Sequence, residues 1–242
     1  MKSRSYNSHH RFFICTCILL VLLIVLVGIL YVKQYSPQQL LAYFGVISIP
    51  EKTDYTLVSW ERSLTQLNYD ADIVFIGDSL TSSVDFQSSF PDKKIINLGL
   101  SGDSLDGIHR RSSIIPHFSP EMIFVEGGVN SLNSLSLDDL VSNYSTMIDE
   151  IIQTNPVSKI YIQSILPISN SRENKNLTNK NILSMNAKLL EIANKYGAVF
   201  VDLFSVYASS GEMNPSYTTD GIHLTEESKQ LWINALVPYI NN

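Results

Sequence analysis

The chain has 242 residues, of which 45% are hydrophobic and 17% are charged, and its formal net charge is −6. These proportions are typical of a folded domain with a sizeable core and exclude a largely disordered chain. The acidic balance offers no basic surface for a nucleic-acid partner. Both cysteines, Cys15 and Cys17, lie near the start. The rest of the chain therefore has no disulfide, cysteine nucleophile or cysteine zinc ligand.

Residues 12–32 form an uncharged apolar run near the N-terminus. As a helix that rises about 1.5 Å per residue, this run spans the roughly 30 Å hydrocarbon core of a bilayer. It is longer than the apolar part of a signal peptide, and no A-x-A-like cleavage site follows it. The pattern therefore favours an uncleaved transmembrane helix over a signal peptide.

The charges around this helix predict its orientation. No acidic residue precedes it, but three basic residues do: Lys2, Arg4 and Arg11. The positive-inside rule then places residues 1–11 in the cytoplasm and the main domain outside the cell membrane. Residues 33–54 are predicted to be a stalk, and residues 55–242 the folded domain.

From residue 55 onward, short apolar runs alternate with amphipathic segments. The runs, rich in Ile and Val, are typical of parallel strands covered on both faces: 72–77, 94–99, 122–128, 159–165 and 198–203. The amphipathic segments carry apolar residues at i, i+3, i+4 and i+7: 56–67, 104–115, 137–154, 179–197 and 225–240. Strands that alternate with helices predict a three-layer α/β sandwich.

Ser79 follows the first predicted strand directly, in the sequence 73-IVFIGDSLTSS-83. Ligands bind outside the carboxyl ends of parallel strands, where the free N–H groups of the next helix are also available. A serine at this place is either a turn residue or a nucleophile. Nucleophilic attack requires a general base, which is itself oriented by a carboxylate.

His223 is the candidate base. It lies in a loop before the last predicted helix, three residues after Asp220, so both side chains can reach the carboxyl edge of the sheet. Two other histidines follow residue 33. His109 lies in a predicted helix beside Arg110 and Arg111, where a solvated surface role is expected, and His117 is predicted to lie in a loop.

Two more strand ends offer donors for the oxyanion that develops during acyl transfer. Gly102 lies in the loop of NLGLSGDS, where its N–H can face a substrate, and Asn130 follows the third strand with a side-chain amide. Ser79, Gly102, Asn130 and His223 are thus expected to converge at one edge of the sheet.

These four blocks resemble those of the SGNH, or GDSL, hydrolases in type and order. The blocks are GDSL at 77–80, NLGLSGDS at 97–104, GVN at 128–130 and DGIH at 220–223. The resemblance covers about three-quarters of the chain. It implies a structural role for Asp78. The sequence departs from the family pattern at Ser131, where an aspartate is common.

The resemblance implies an SGNH hydrolase fold with a flavodoxin-like, five-stranded parallel sheet, and a catalytic triad of Ser79, His223 and Asp220. It also implies an oxyanion hole formed by the backbone N–H groups of Ser79 and Gly102 and the side-chain amide of Asn130. Such enzymes need no metal and no cofactor. They act as esterases, lipases, thioesterases or carbohydrate deacetylases.

Three functions remain open. The leading one is a membrane-anchored serine esterase that acts on short O-acyl groups, with acetyl esters of an envelope or exported polysaccharide as the expected substrate. The second is a lysophospholipase or thioesterase, and the third is an inactive domain that binds glycans or partner proteins. The longest loop, 205–220, mixes Tyr207, Met213 and Tyr217 with small polar residues. This composition predicts a shallow cleft in which a sugar ring stacks on an aromatic side chain.

Overall fold

The structure, a computed structural model, describes residues 70–241. The predicted cytoplasmic tail (1–11), membrane helix (12–32), stalk (33–54) and helix 56–67 lie outside the described residues. Within residues 70–241, no helix combines the length and the apolarity needed to cross a bilayer.

Strands and helices alternate along the described residues. The strands of the main sheet are β1 (Ile73–Gly77), β2 (Ile95–Gly99), β3 (Met122–Val125), β4 (Lys159–Gln163) and β5 (Val199–Val201). A small hairpin follows, formed by β6 (Ala208–Ser209) and β7 (Glu212–Met213). The α-helices are α1 (Ser79–Ser82), α2 (Phe86–Ser89), α3 (Leu105–Ser112), α4 (Leu137–Thr154), α5 (Asn179–Tyr196), α6 (Phe204–Tyr207) and α7 (Glu226–Ile240). The 3-10 turns are Ile115–Phe118, Ser131–Asn133, Asn170–Arg172 and Pro215–Tyr217.

The main sheet has the order β2-β1-β3-β4-β5, and all neighbouring strands are parallel. The predicted five-stranded parallel sheet is therefore confirmed, and its order is that of flavodoxin-like folds. The chain leaves β1 toward β2 on one side and later returns to β3 on the other. This reversal opens a crevice at the carboxyl ends of β1 and β3, which is where such folds bind ligands.

Each face of the sheet packs against its own layer of helices. In β1, Val74 and Ile76 face a core shared with α3, α4 and α5, whereas Ile73 and Phe75 face a core shared with α1, α2 and α7. Fully burying one such side chain contributes about 1.5–3 kcal/mol. Two buried faces explain the near-continuous apolar runs and confirm the predicted three layers.

A row of stacked aromatic rings crosses the second face. Phe75, Phe124 and Tyr161 occupy matched positions on β1, β3 and β4, with ring centroids 4.8 and 4.3 Å apart. Phe86 of α2 stacks on Phe75 at 3.7 Å, and the ring of Trp232 of α7 lies edge-on to Phe86 at 6.1 Å. The row anchors α7, and therefore the end of the loop that carries Asp220 and His223, to the sheet.

Several elements are shorter than predicted, and two of them show why. Helix α3 ends at Ser112 rather than at residue 115, because Pro116 opens a 3-10 turn there and lacks the N–H that would continue the helix. Strand β3 ends at Val125 rather than at residue 128. The φ angles of Gly127 and Gly128 are 141° and 120°, outside the range of a strand of L-residues.

Two predicted helix ends are confirmed. Gly197, with φ of 68°, ends α5 in the left-handed conformation that glycine adopts without strain. Thr225 caps α7, because its side chain accepts a hydrogen bond from the N–H of Ser228. This cap fixes where the loop bearing His223 stops and the helix starts.

Candidate active site

Ser79 is the first residue of α1, directly past the carboxyl end of β1. Asp78 caps this short helix, since its Oδ1 accepts the N–H of Leu80 at 2.9 Å. Gly77 leaves room for the close approach of α1: a Cβ at this position would lie 2.1 Å from Thr81 Oγ1. The GDS sequence therefore holds α1 against the strand ends and leaves Ser79 half-buried at the edge of the sheet.

Ser79, His223 and Asp220 form one hydrogen-bonded chain. Ser79 Oγ lies 3.1 Å from His223 Nε2, and His223 Nδ1 lies 2.9 Å from Asp220 Oδ2. The other oxygen, Asp220 Oδ1, accepts the N–H groups of Ile222 at 3.0 Å and of His223 at 2.8 Å. These contacts have the geometry of a nucleophile, a general base and the carboxylate that orients the base.

The Asp220 carboxylate is held in its charged form. Burial acts to raise the pKa of Asp220, but hydrogen bonds from the N–H and ring of His223 and from the N–H of Ile222 outweigh burial and bring the pKa to about 2. The carboxylate is therefore ionised throughout the range in which imidazoles titrate. It can stabilise a positive charge on the His223 ring.

We expect the hydrolysis rate to fall as the pH drops from about 8 to about 5, because an imidazole must be neutral to accept the serine proton. The lowered pKa of Asp220 means that this group loses its charge only near pH 2, so Asp220 does not cause the decline. The pH dependence of kcat/KM for an aryl acetate, at constant ionic strength, measures the effect. Undiminished activity at about pH 4.5 would contradict a histidine base.

Gly102 and Asn130 lie on adjoining exposed loops after β2 and β3. Gly102 has φ of 75°, which a glycine adopts without strain. The side-chain amide of Asn130 donates a hydrogen bond to the backbone oxygen of Asp103 at 2.8 Å. Because Asp103 directly follows Gly102, this bond ties the two predicted oxyanion donors to each other.

Arg111, at the end of α3, supports the loop of Gly102 from inside the core. Its fully buried guanidinium binds Asp103 Oδ2, with Nε at 2.7 Å, and donates from Nη2 to the backbone oxygen of Gly77 at 2.9 Å and from Nη1 to that of Leu98. One side chain thus joins the ends of β1 and β2 to the loop of Gly102. No role was predicted for Arg111 from the sequence. Its spacing of three residues from Ile108, on the apolar face of α3, was the available signal.

Two buried carboxyl groups lie behind Ser79. Thr81 Oγ1 donates to Glu126 Oε2 at 2.9 Å, whereas Glu126 Oε1 and Asp78 Oδ2 are buried without a hydrogen-bond partner. Burial raises the pKa of both acids, and the charge of Asp78 raises that of Glu126 further. Glu126 was not among the predicted site residues. Its signal in the sequence was a carboxylate at the end of an apolar strand.

Ser131 retains an acceptor where the family often has an aspartate. Its buried Oγ accepts the N–H of Leu105, the first residue of α3, at 2.8 Å. The other two histidines of the part of the chain that the structure describes are separate from the triad: His109 Nε2 lies 2.7 Å from Glu150 Oε2 on α4, and His117 is exposed in a 3-10 turn. Within residues 70–241, no cluster of three or more His, Cys, Asp or Glu side chains is arranged to hold a metal ion.

The predicted sugar-stacking surface in segment 205–220 is wrong in its main residues. Tyr207 and Met213 are fully buried, and the Tyr207 hydroxyl donates to the backbone oxygen of Ser228 at 2.8 Å. Tyr217 is half-buried and packs edge-on against Tyr207. The segment folds into α6, the β6–β7 hairpin and a 3-10 turn, so its large side chains fill a core.

A sequence profile of the GDSL-like Lipase/Acylhydrolase family matches residues 75–231, which include every residue of the hydrogen-bonded chain and both donor loops. The chain belongs to this family. As a GDSL-like acylhydrolase it is an ester-hydrolysing enzyme, as the sequence motifs predicted. Comparison with the curated proteins gave no match.

Solved structures share the GDSL-like fold. A Streptococcus pneumonia protein studied under the name platelet activating factor is 23% identical, with TM-score 0.70 over 78% of this chain and 92% of its own. A GDSL-like lipase from Bacteroides thetaiotaomicron is 21% identical, with TM-score 0.64 over 76% of this chain and 97% of its own. An acetyl xylan esterase is 16% identical, with TM-score 0.59 over 69% of this chain and 98% of its own.

Proposed function

We propose that this GDSL-like acylhydrolase is a membrane-anchored serine esterase that works outside the cytoplasm and removes short O-acyl groups, foremost acetyl, from an envelope or exported polysaccharide. The observation that carries the esterase mechanism is the chain of hydrogen bonds from Ser79 Oγ through His223 to Asp220, at 3.1 and 2.9 Å. Ser79 is the nucleophile, His223 the general base and Asp220 the residue that orients the base.

The reaction then proceeds in two halves. Ser79 Oγ attacks the ester carbon while His223 Nε2 takes its proton, and the negative charge on the former carbonyl oxygen is stabilised by the N–H groups of Ser79 and Gly102 and the Asn130 amide. The alcohol leaves with the proton from His223, and an acyl-serine remains. Water then attacks this acyl group while His223 takes one of its protons, and His223 passes that proton to Ser79 Oγ as the carboxylic acid leaves.

The preference for short acyl groups follows from the openness of the site. The side chains of His223 and Asp220 are 47% and 39% exposed, and the loop residues Gly102 and Asn130 are exposed as well. Such surroundings provide little apolar surface against which a long acyl chain could be buried. A longer chain would therefore not gain the roughly 0.8 kcal/mol that each buried CH₂ contributes. One structural neighbour is an acetyl xylan esterase, which agrees with a carbohydrate ester as substrate.

We expect kcat/KM to be highest for esters of two to about four acyl carbons and to fall for longer chains, because added CH₂ groups would remain in water. A series of aryl esters from acetate to palmitate, assayed below their critical micelle concentrations, measures this dependence. A rise in kcat/KM beyond about eight carbons would favour the alternative function, a lysophospholipase or thioesterase. Such an enzyme would use the same triad, and the predicted anchor would hold it near lipid.

The anchor is proposed from the apolar run at residues 12–32 and the basic residues before it. We expect the full-length protein to sediment with membranes and to resist extraction by high salt. Protease added to cells stripped of their outer barriers should digest the domain, with a cytoplasmic protein as the protected control. A protected domain, or one shed into the medium by signal cleavage, would exclude this topology.

A further inference from the structure

Arg172 lies beside the hydrogen-bonded chain, at the end of a 3-10 turn in the loop after β4. Its stem packs against the loop that carries Asp220 and His223: a Cβ at Gly221 would lie 2.6 Å from Arg172 Cγ, and Gly221 has φ of 94°. The N–H of Ser169 also donates to the backbone oxygen of Gly221 at 2.8 Å. The two loops are thus joined, and the position of Arg172 relative to the triad is fixed by the backbone.

The guanidinium of Arg172 is only partly used by the protein. The side chain is 45% exposed, and its one polar contact among the described residues is from Nη2 to Asp220 Oδ2 at 3.5 Å. That oxygen already lies 2.9 Å from His223 Nδ1. A guanidinium carries five N–H donors in a planar fork, so most of the donors of Arg172 have no hydrogen-bond partner among the described residues.

The exposed guanidinium of Arg172 is the group that can bind an anion at this place. Asp220 alone would repel a negative substrate, but the adjacent Arg172 cancels its charge while the His223 ring is neutral. The carboxylates of Glu173 and Glu212 form no ion pair with Arg172 among the described residues: Glu173 Oε1 accepts the N–H of Asn179, and Glu212 Oε2 accepts the N–H of Asn170. The planar fork of arginine matches the two oxygens of a carboxylate or phosphate.

We propose that Arg172 binds an anionic group on the alcohol part of the substrate. The natural substrate is then an acylated acidic glycan, with a carboxylate or phosphate close to the O-acyl ester. This inference rests on the proposed esterase function. It adds a specificity residue that contacts the substrate and takes no part in bond making.

The test compares two monoacetylated sugars, a methyl glucuronoside and the corresponding methyl glucoside. They differ only at carbon 6, which is a carboxylate in the first and a hydroxymethyl group in the second. We expect the wild-type enzyme to prefer the glucuronoside. In Arg172→Gln, the ratio of kcat/KM for the anionic sugar to that for the neutral sugar should fall about 10-fold, the size of one lost charge-assisted hydrogen bond. Arg172→Lys should keep part of the preference, because it retains the charge without the fork.

Lys188→Gln is the matched control. Lys188 is also 45% exposed and also forms an ion pair, with Glu191 on α5, so its loss changes the net charge equally without touching the site. The preference should be unchanged in this variant. In the wild type, the preference should weaken as salt is added, because the Debye length falls from about 30 Å at 0.01 M to about 8 Å at 0.15 M.

A third sugar, the monoacetylated methyl glucoside 6-phosphate, shows whether carboxylate or phosphate fits better. The inference is overturned if the wild type prefers the neutral sugar, or if Arg172→Gln slows all three esters equally, which would assign Arg172 to orienting Asp220. These outcomes are independent of the esterase proposal itself, because hydrolysis of a neutral aryl acetate and its dependence on Ser79 would persist in each case.

Discussion

Ser79→Ala is expected to lower kcat/KM for an aryl acetate by about 10³-fold or more while the protein stays folded, because removal of the nucleophile abolishes the acyl-enzyme route. The hydroxyl of Ser79 lies 3.1 Å from His223 Nε2 and caps no helix. Its loss therefore costs little stability. The measurement is steady-state hydrolysis with circular dichroism as the check on folding.

Ser83→Ala provides the control for this variant. Ser83 follows α1 directly, and its hydroxyl donates to the backbone oxygen of Leu80 rather than to a group of the triad. Activity close to that of the wild type is expected. A fluorophosphonate probe should label the wild type and Ser83→Ala but not Ser79→Ala. Near-normal turnover by Ser79→Ala would remove Ser79 from the mechanism and with it the proposed triad.

Arg111→Met is expected to lower the free energy of unfolding by about 3–5 kcal/mol, the usual cost of breaking a buried ion pair from one side. The substitution removes the guanidinium from the buried Asp103 carboxylate and from the backbone oxygens of Gly77 and Leu98. The N–H groups of Ser104 and Leu100 still bind Asp103 Oδ1 and the Gly77 oxygen, but the negative charge of Asp103 loses its ion-pair partner. Denaturant unfolding measures the change. We also expect kcat to fall, because the loop of Gly102 loses its brace.

Two comparisons sharpen this expectation. Arg111→Lys keeps the charge but has three donors on a single nitrogen, so it should restore only part of the stability. Lys188→Gln removes an exposed ion pair and should change stability by no more than about 1 kcal/mol. Equal stability of Arg111→Met and the wild type would show that the guanidinium does not brace the strand ends.

The sheet was predictable because both of its faces are buried. Each strand is then a short apolar run in the sequence. The change from apolar residues to Gly77, Asp78 and Ser79 at the end of β1 is easy to recognise in such a sequence. His223 and Asp220 could be paired because only three residues separate them. Local signals of this kind, confined to one strand end or one loop, survive in a single sequence.

Other features depend on which residues meet in space. The role of Arg111 arises from three backbone and side-chain acceptors that belong to separate segments of the chain. The sequence of α3 alone does not predict which residues these acceptors are. Tyr207 was misread because its segment has the polar composition of a surface loop, yet the chain folds back on itself as a hairpin and buries the ring. Composition describes a segment, whereas burial depends on its neighbours.

The two buried acids behind Ser79 affect the proton balance of folding. Because burial raises the pKa of Asp78 and Glu126 above their ordinary values, the folded domain holds protons that the unfolded chain gives up once the pH exceeds about 4. Their contribution to the free energy of unfolding therefore declines as the pH rises from about 4 through their raised pKa values, which for Asp78 is about 6. Asp220, whose pKa is lowered to about 2, acts in the opposite sense: its contribution is fully present above about pH 4 and is lost as the pH falls toward 2. Asp78 and Glu126 therefore make the folded domain more stable in mildly acidic than in alkaline solution.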